Sequence, residues 1–331
     1  MFLPYPTMKR YHIFALLLAI GFSACNDDNP EAGPSYQGDN TNSNATRIFA
    51  SVTERPNVTD VHKAACRLEI PQLNKAGDNN LFIVHTTTDF GINYCMEYDC
   101  TLKAQRWSAF QSYASNNVKK WNRNDWKYTT WGGDPFQEDP LLPQQYRTTL
   151  SDHRSNGHDR GHIMGSEDRV NSQSANEQTF YLSNIHPQLN GFNAQGIWYE
   201  LENKIRNRYR NHDINKSNYF CDTLYVVKGG TIDRANYTWV KGSGQKLVCP
   251  NYFYMAILRK SSKDTTQGGY AAVGFWMKHE ANNDQAGTTS QLGKYAVTID
   301  RLEDLTGIDF FCNLPDEIEK KVESNLVLSL W

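Results

Sequence analysis

The sequence predicts an α+β domain built around a central, mostly antiparallel sheet flanked by helices. Short runs rich in β-branched and aromatic residues recur along the chain. Segments of helical patterning fall among them, without the regular alternation that a parallel sheet needs. Taken in order, Leu81–His85 and Asn93–Asp99 read as a hairpin, followed by a run at Trp107–Phe110. Phe180–Asn184 reads as a short strand ending in the polar pair Ser183-Asn184. Thr223–Val227 leads into Gly229-Gly230, and Tyr252–Leu258 and Tyr270–Trp276 complete the strands. Helices are expected from Gln195 to about Arg210 and over Ile299–Leu305, where Asp300 precedes Leu302-Glu303. A last helix is expected over Pro315–Ser324, since Asp316 and Glu317 suit the positive end of a helix dipole.

With 39% hydrophobic and 12% aromatic residues, the 331-residue chain can bury a sizeable core, and its composition excludes a disordered, collagenous or multi-span membrane protein. The formal charge of −2 supplies no global steering field, so a nucleic-acid ligand would need a local basic patch. Residues 1–25 read as an export signal. If translation starts at Met8, Lys9 and Arg10 precede the apolar run Ile13–Ile20, which is too short to span a bilayer comfortably. Phe22-Ser23-Ala24-Cys25 resembles a bacterial lipobox, the alternative being a plain secretory signal with a chance cysteine. The lipobox reading implies acyl chains on Cys25, a membrane anchor without a transmembrane helix, and an outer-membrane lipoprotein of the cell envelope facing the periplasm or the surface. Residues 26–45 read as a flexible tether and residues 46–331 as one domain, with folding expected from Ile48 or Val61. Six further cysteines in an exported chain suggest disulfides, with Cys95–Cys100 and Cys221–Cys249 as the expected pairs. No Cys/His spacing supports a zinc site.

Chemistry concentrates in Gly157-His158-Asp159-Arg160-Gly161-His162, followed in order by Phe180–Asn184, Pro187-Gln188, Phe192-Asn193 and Trp198–Glu202. Together these resemble the DNA/RNA non-specific endonuclease family, the ββα-metal nucleases. Arg106–Phe110 and Arg123–Asp139 upstream, and Val226–Gly230, Pro250–Phe253 and Leu305–Phe311 downstream, extend the resemblance over most of the mature chain. The resemblance implies the ββα-metal fold and metal-dependent, sequence-nonspecific hydrolysis of phosphodiester bonds in DNA and RNA. It also implies 5′-phosphate products and one Mg²⁺, with Mn²⁺ able to substitute.

Such hydrolysis needs an activated water and charge stabilisation around the phosphate. By resemblance His162 is the general base, a task suited to a side chain that titrates near neutrality. Asn193 is the metal ligand, and Mg²⁺ tolerates so few protein ligands because it keeps its waters. Taken alone, a histidine is more often structural, and an asparagine there could equally be a helix N-cap. Glu202 is expected to orient metal-bound waters, Arg160 to stabilise the transition state, and Asn184 to support the site by hydrogen bonding. Arg123 is a candidate second phosphate contact, with Arg106 and Arg147 as alternatives, while Asp159 is expected to buttress the loop. Gly161 is expected to let the backbone turn the imidazole toward substrate. Lys204, Arg206, Arg208 and Arg210, or Lys119, Lys120, Arg123 and Lys127, could line a phosphate track, although the first set splits between faces of a regular helix.

Three departures stand out: Gly165 where proline is common, suggesting a looser loop; His158 where an aromatic is usual; and one extra residue between Asn193 and Trp198. One residue turns a helix by about 100°, so the insertion must be absorbed near Ala194-Gln195 if Asn193 and Glu202 are to face one metal. The alternatives are a catalytically impaired, nuclease-like surface protein that binds nucleic acid or a protein partner, and a phosphodiesterase for small substrates. No Gly-x-Ser-x-Gly elbow supports a serine hydrolase.

Overall fold

Neighbouring side chains along the strands belong to two different cores, as a sheet covered on both faces requires. Leu81 and Ile83 pack into one, Phe82 and Val84 into the other. Phe253, Met255 and Ile257 alternate in the same way with Tyr254, Ala256 and Leu258. The computed structural model describes residues 39–53, 61–75, 77, 79–123, 133–154, 156–242, 244, 246–281 and 289–331. Its strands are β1 (Ser51–Thr53), β2 (Asn80–Thr87), β3 (Gly91–Asp99), β4 (Ala104–Tyr113), β5 (Asp159–His162), β6 (Ile185–Gln188), β7 (Thr223–Gly230), β8 (Tyr237–Trp239), β9 (Val248–Pro250), β10 (Tyr252–Lys260), β11 (Tyr270–Lys278) and β12 (Ala296–Val297). The helices are α1 (Val61–Ala65), α2 (Gln173–Gln178), α3 (Asn190–Asn193), α4 (Ile197–Lys204), α5 (Ile299–Thr306) and α6 (Asp316–Ser324).

The main sheet runs β1-β2-β3-β4-β7-β10-β11-β12, and all of its pairs are antiparallel except β1 with β2. Helix α4 covers one face through Ile197, Trp198 and Leu201, and a π-helical turn at Ile205–Tyr209 extends it with Ile205 and Tyr209. Helices α1, α5 and α6 cover the other face with Ala64, Ala65, Ile299, Leu302, Ile318 and Val322. The expected α+β fold and its antiparallel sheet are therefore present. Helix α5 starts at Thr298, whose hydroxyl accepts from the Arg301 N–H at 3.1 Å, and stops at Gly307, whose φ of 75° favours glycine.

Several expectations need correction. Phe180–Asn184 is not a strand; Leu182–Asn184 is a 3₁₀ turn and the strand follows at β6, where Asp159–His162 offers a pairing edge. The helix expected from Gln195 begins at Ile197 and ends in the π turn. Residues 39–45 are not a free tether. Asn44 is fully buried, donating to the Ala65 and Pro71 carbonyls at 2.9 and 3.0 Å and accepting from the Leu73 N–H at 2.9 Å. The Asp39 carbonyl takes the Asp316 N–H at the start of α6. The signal and Cys25 lie outside the described residues, as does Lys127.

Neither expected disulfide forms: Cys95, Cys100, Cys221 and Cys249 are all free thiols. Cys95 packs in one core and Cys100 in the other, on opposite sides of the sheet. Cys221 likewise lies in the core beneath α4, whereas Cys249 packs with Val240 and Leu247. These thiols serve as small apolar core groups.

Candidate active site

The segment singled out by sequence becomes a ββα unit. Strands β5 and β6 pair antiparallel, with Gly161 opposite His186 and His162 opposite Ile185, and α3 and α4 follow directly. Ile163, Met164, Phe192 and Trp198 seat the unit on the core beneath α4. Gly161 is needed for space rather than for a turn. A Cβ there would lie 2.1 Å from Oε1 and 2.3 Å from Cδ of Gln188, whose fully buried side chain crosses it. Asn184 straps down the segment leaving β5: it accepts from the Met164 N–H and donates to the Met164 carbonyl, both at 2.9 Å, and donates to the Thr179 carbonyl at 2.8 Å. Asn184 is fully buried, and these hydrogen bonds fix the segment that follows His162.

His162 is half-buried between the rings of Phe136 and Phe180, with centroids 5.3 and 4.9 Å away. Its Nε2 is buried with no hydrogen-bond partner. Burial foremost, then the positive charges of Arg123, Arg160 and Lys228, pushes its pKa down to about 3, so the imidazole is neutral at pH 7. Arg160, two residues earlier, holds its guanidinium 4.0 Å from the Phe136 ring centroid and donates through Nη1 to both oxygens of Asp134 at 2.9 Å. Burial would raise the Asp134 carboxyl, but Arg160, the Phe136 N–H and Arg154 together hold it below its ordinary value. Arg123 is exposed and 3.8 Å from Glu167.

The extra residue is absorbed as a break between two helices. Helix α3 closes at Asn193, Gly196 is extended, and α4 starts afresh at Ile197. A Cβ on Gly196 would meet the Gly191 carbonyl at 2.2 Å, so glycine permits the break. Asn193 and Asn190 both donate to Asp159 Oδ2, at 3.1 and 2.9 Å. A carboxylate only accepts, so the Asn193 NH₂ must face Asp159 and its Oδ1 must face away. That oxygen suits a hard cation that keeps most of its waters, so the residues present fit a single Mg²⁺.

Glu202 is clamped rather than free. It accepts from Lys228 Nζ at 3.1 Å, and Arg206 lies 3.6 Å from its second oxygen. Fully buried Lys228 also donates to Asp168 at 3.0 Å, and Arg210 reaches Asp168 at 3.0 Å. Burial alone would raise the Asp168 carboxyl, but Lys228, Arg206 and Arg210 hold it well below the carboxylate range. Gly165 is not a loose point: a Cβ there would come within 2.8 Å of Asp168 and 3.0 Å of Glu202. Of the proposed basic stripe, Arg206 and Arg210 turn inward to these carboxylates while Arg208 stays exposed. Sequence reasoning did not identify Asp134, Asp168 and Lys228 as site residues. A lysine between the buried valines and Gly229-Gly230 of β7 was the available signal for the last.

The sequence profile of the DNA/RNA non-specific endonuclease family matches residues 78–317. This chain belongs to the DNA/RNA non-specific endonuclease family. Among its relatives, the mitochondrial nuclease of Saccharomyces cerevisiae is 30% identical over 56% of this chain and 55% of its own length. Nuclease C1 of Cunninghamella echinulata is 32% identical over 54% of this chain and 67% of its own length. Human mitochondrial endonuclease G is 28% identical over 54% and 57%. The chain thus spans little more than half the length of two of these three relatives. A crystal structure of the EndoG/EndoGI complex covers 70% of this chain and 86% of its own, with a TM-score of 0.53 at 21% identity, a likeness of fold.

Proposed function

We propose that this chain is a metal-dependent endonuclease that hydrolyses phosphodiester bonds in DNA and RNA without regard to sequence. The observation that carries the reading is His162, with an Nε2 that has no partner, on the same ββα unit as Arg160 and an Asn193 whose NH₂ is taken by Asp159. Mg²⁺ held by Asn193, with Mn²⁺ able to replace it, would supply Lewis-acid stabilisation of the phosphate and the leaving oxygen. His162 takes the proton of the attacking water, and its burial keeps it in the form that can do so. Arg160 binds a phosphate oxygen with its remaining N–H groups while Asp134 fixes its orientation. Glu202, fixed by Lys228 and Arg206, offers a carboxylate of set direction to waters around the metal. Asn184 keeps the strand end beyond His162 in register. Backbone phosphates are common to every sequence, which accounts for indifference to bases. The products expected carry 5′-phosphates.

The test is incubation of the purified protein with supercoiled plasmid and structured RNA, with and without Mg²⁺, beside His162→Ala. Metal-dependent cutting of both that is lost in the variant is the expected result. No cutting by folded protein in Mg²⁺ or Mn²⁺ would refute the enzyme and leave a surface protein that binds nucleic acid or a partner. We further propose anchorage in the cell envelope through acylated Cys25, supported by the lipobox-like sequence. Palmitate labelling that survives Cys25→Ser would overturn it.

A further inference from the structure

We propose that Asp300, Glu303 and Glu323 form a calcium site across the sheet from His162, independent of the catalytic metal. Asp300 and Glu303 stand one turn apart on α5, and Glu323 comes from the end of α6 packed beside it. One carboxylate oxygen from each lies within 4.8 Å of the other two. Ca²⁺ binds oxygens at about 2.3–2.6 Å, so two oxygens on one ion can stand up to about 5 Å apart. Mg²⁺, with its shorter bonds and strict octahedron, demands a tighter set.

A second observation points to a missing positive partner. Glu323 is only 7% exposed, and its Oε1 is buried with no hydrogen-bond partner. Among the described residues no ion pair reaches Asp300, Glu303 or Glu323. A buried carboxylate without a donor must take up a proton or a cation. Burial first, then Glu303, Glu319, Asp309 and Asp300, pushes Glu323 up to about 10, and burial with Asp309, Asp300 and Glu319 raises Glu303 to about 8. The neighbouring acids are held elsewhere: Asn42 donates to Glu319 at 2.9 Å and to Asp309 at 3.1 Å. Asp300 is exposed, which gives an ion a way in and leaves room for the waters that complete six to eight ligands. An ion that displaces the protons of Glu303 and Glu323 meets three carboxylates, two set inside and one on the rim, which suit a hard dication with adaptable geometry. The three carboxylates belong to helices on the face away from the ββα unit, so the catalytic cation does not serve them.

The experiment is titration of the chelator-stripped protein with Ca²⁺ alone, read by calorimetry and by thermal melting. Binding of one Ca²⁺ with a Tm rise of about 5 °C at saturation is expected. It should persist in Asn193→Ala and vanish in Glu303→Gln/Glu323→Gln. Asp300→Asn, on the surface, should weaken binding at least ~10-fold without disturbing the fold, and it decides the matter if the double variant does not fold. Ca²⁺ binding that disappears with Asn193→Ala, binding unchanged by the carboxylate variants, or no binding at all would overturn the proposal and leave a cluster held by shared protons.

Discussion

Asp159 accepts the side-chain amide of Asn193 at 3.1 Å, and that one hydrogen bond decides which end of the amide faces outward. Removing the acceptor with Asp159→Ala frees Asn193 to flip, so the apparent Mg²⁺ affinity in the cleavage assay should fall by roughly 10–100-fold. Activity at saturating Mg²⁺ should recover most of its value. Asp159→Asn, which still offers an acceptor oxygen, should fall between the two. A metal titration of cleavage rate measures this, and superimposable curves for wild type and Asp159→Ala would sink the positioning role.

Lys228 sits fully buried between Asp168 and Glu202. Lys228→Met fits the space but leaves two carboxylates short of a partner, and breaking a buried pair in this way costs about 3–5 kcal/mol. Arg206 and Arg210 remain on Asp168, which places the expected loss near ~3 kcal/mol. Urea unfolding at pH 7 reads it directly. A loss below about 1 kcal/mol would mean that the two arginines suffice.

The parts legible in sequence were those whose signal is local. Strands β2, β3, β10 and β11 announce themselves through apolar and β-branched runs, and Asp300 ahead of Leu302-Glu303 signals α5. Strand β5 could not be read in this way, because Asp159–His162 has no apolar alternation and becomes a strand only by pairing with Ile185–Gln188. Composition misled at the N-terminus, where Asn44 is buried because its amide satisfies backbone groups on both sides of Arg67–Ile70. Cysteine spacing misled for a similar reason: Cys95 and Cys100 are close in the chain but lie on opposite sides of the sheet. The motif placed His162, Arg160 and Asn193 on one unit, whereas the charges that tune it, Asp134, Asp168 and Lys228, arrive from other segments by tertiary packing.

Gly161 and Gln188 share a space that holds only one side chain. Gly161→Ala must therefore displace the Gln188 side chain, an overpacking worth about 1–3 kcal/mol, and should shift β5 enough to lower cleavage. Gln188→Ala should cost little by itself, because neither polar atom of Gln188 has a partner to lose. The double variant Gly161→Ala/Gln188→Ala should regain stability and activity. If it is no better than Gly161→Ala alone, the glycine is required for its backbone and not for the space above it.

Buried histidines make the metal-free protein acid-labile. Burial is the leading cause of depression in each: His153, His186, His212 and His279 fall to about 4, and His162 to about 3. In the unfolded chain all titrate near 6.5, so between about pH 6.5 and 4 the unfolded state holds the extra protons. Their contribution is complete above pH 6.5 and is lost as pH falls through that window, approaching ~1.4 kcal/mol per pH unit for each site. Glu303, Glu319 and Glu323 act in the opposite sense. Held up to about 8, 7 and 10, they bind protons in the folded state that the unfolded chain takes up only near 4.5, so they gain stability as pH falls from about 10. The two trends cross near pH 6.5, where the Tm of chelator-treated protein should peak, falling on both sides and more steeply below pH 4.5, where the glutamate gain is complete. Melting curves from pH 4 to 9 measure it, and a Tm that kept rising as pH fell toward 4 would show that the histidines are already charged in the fold.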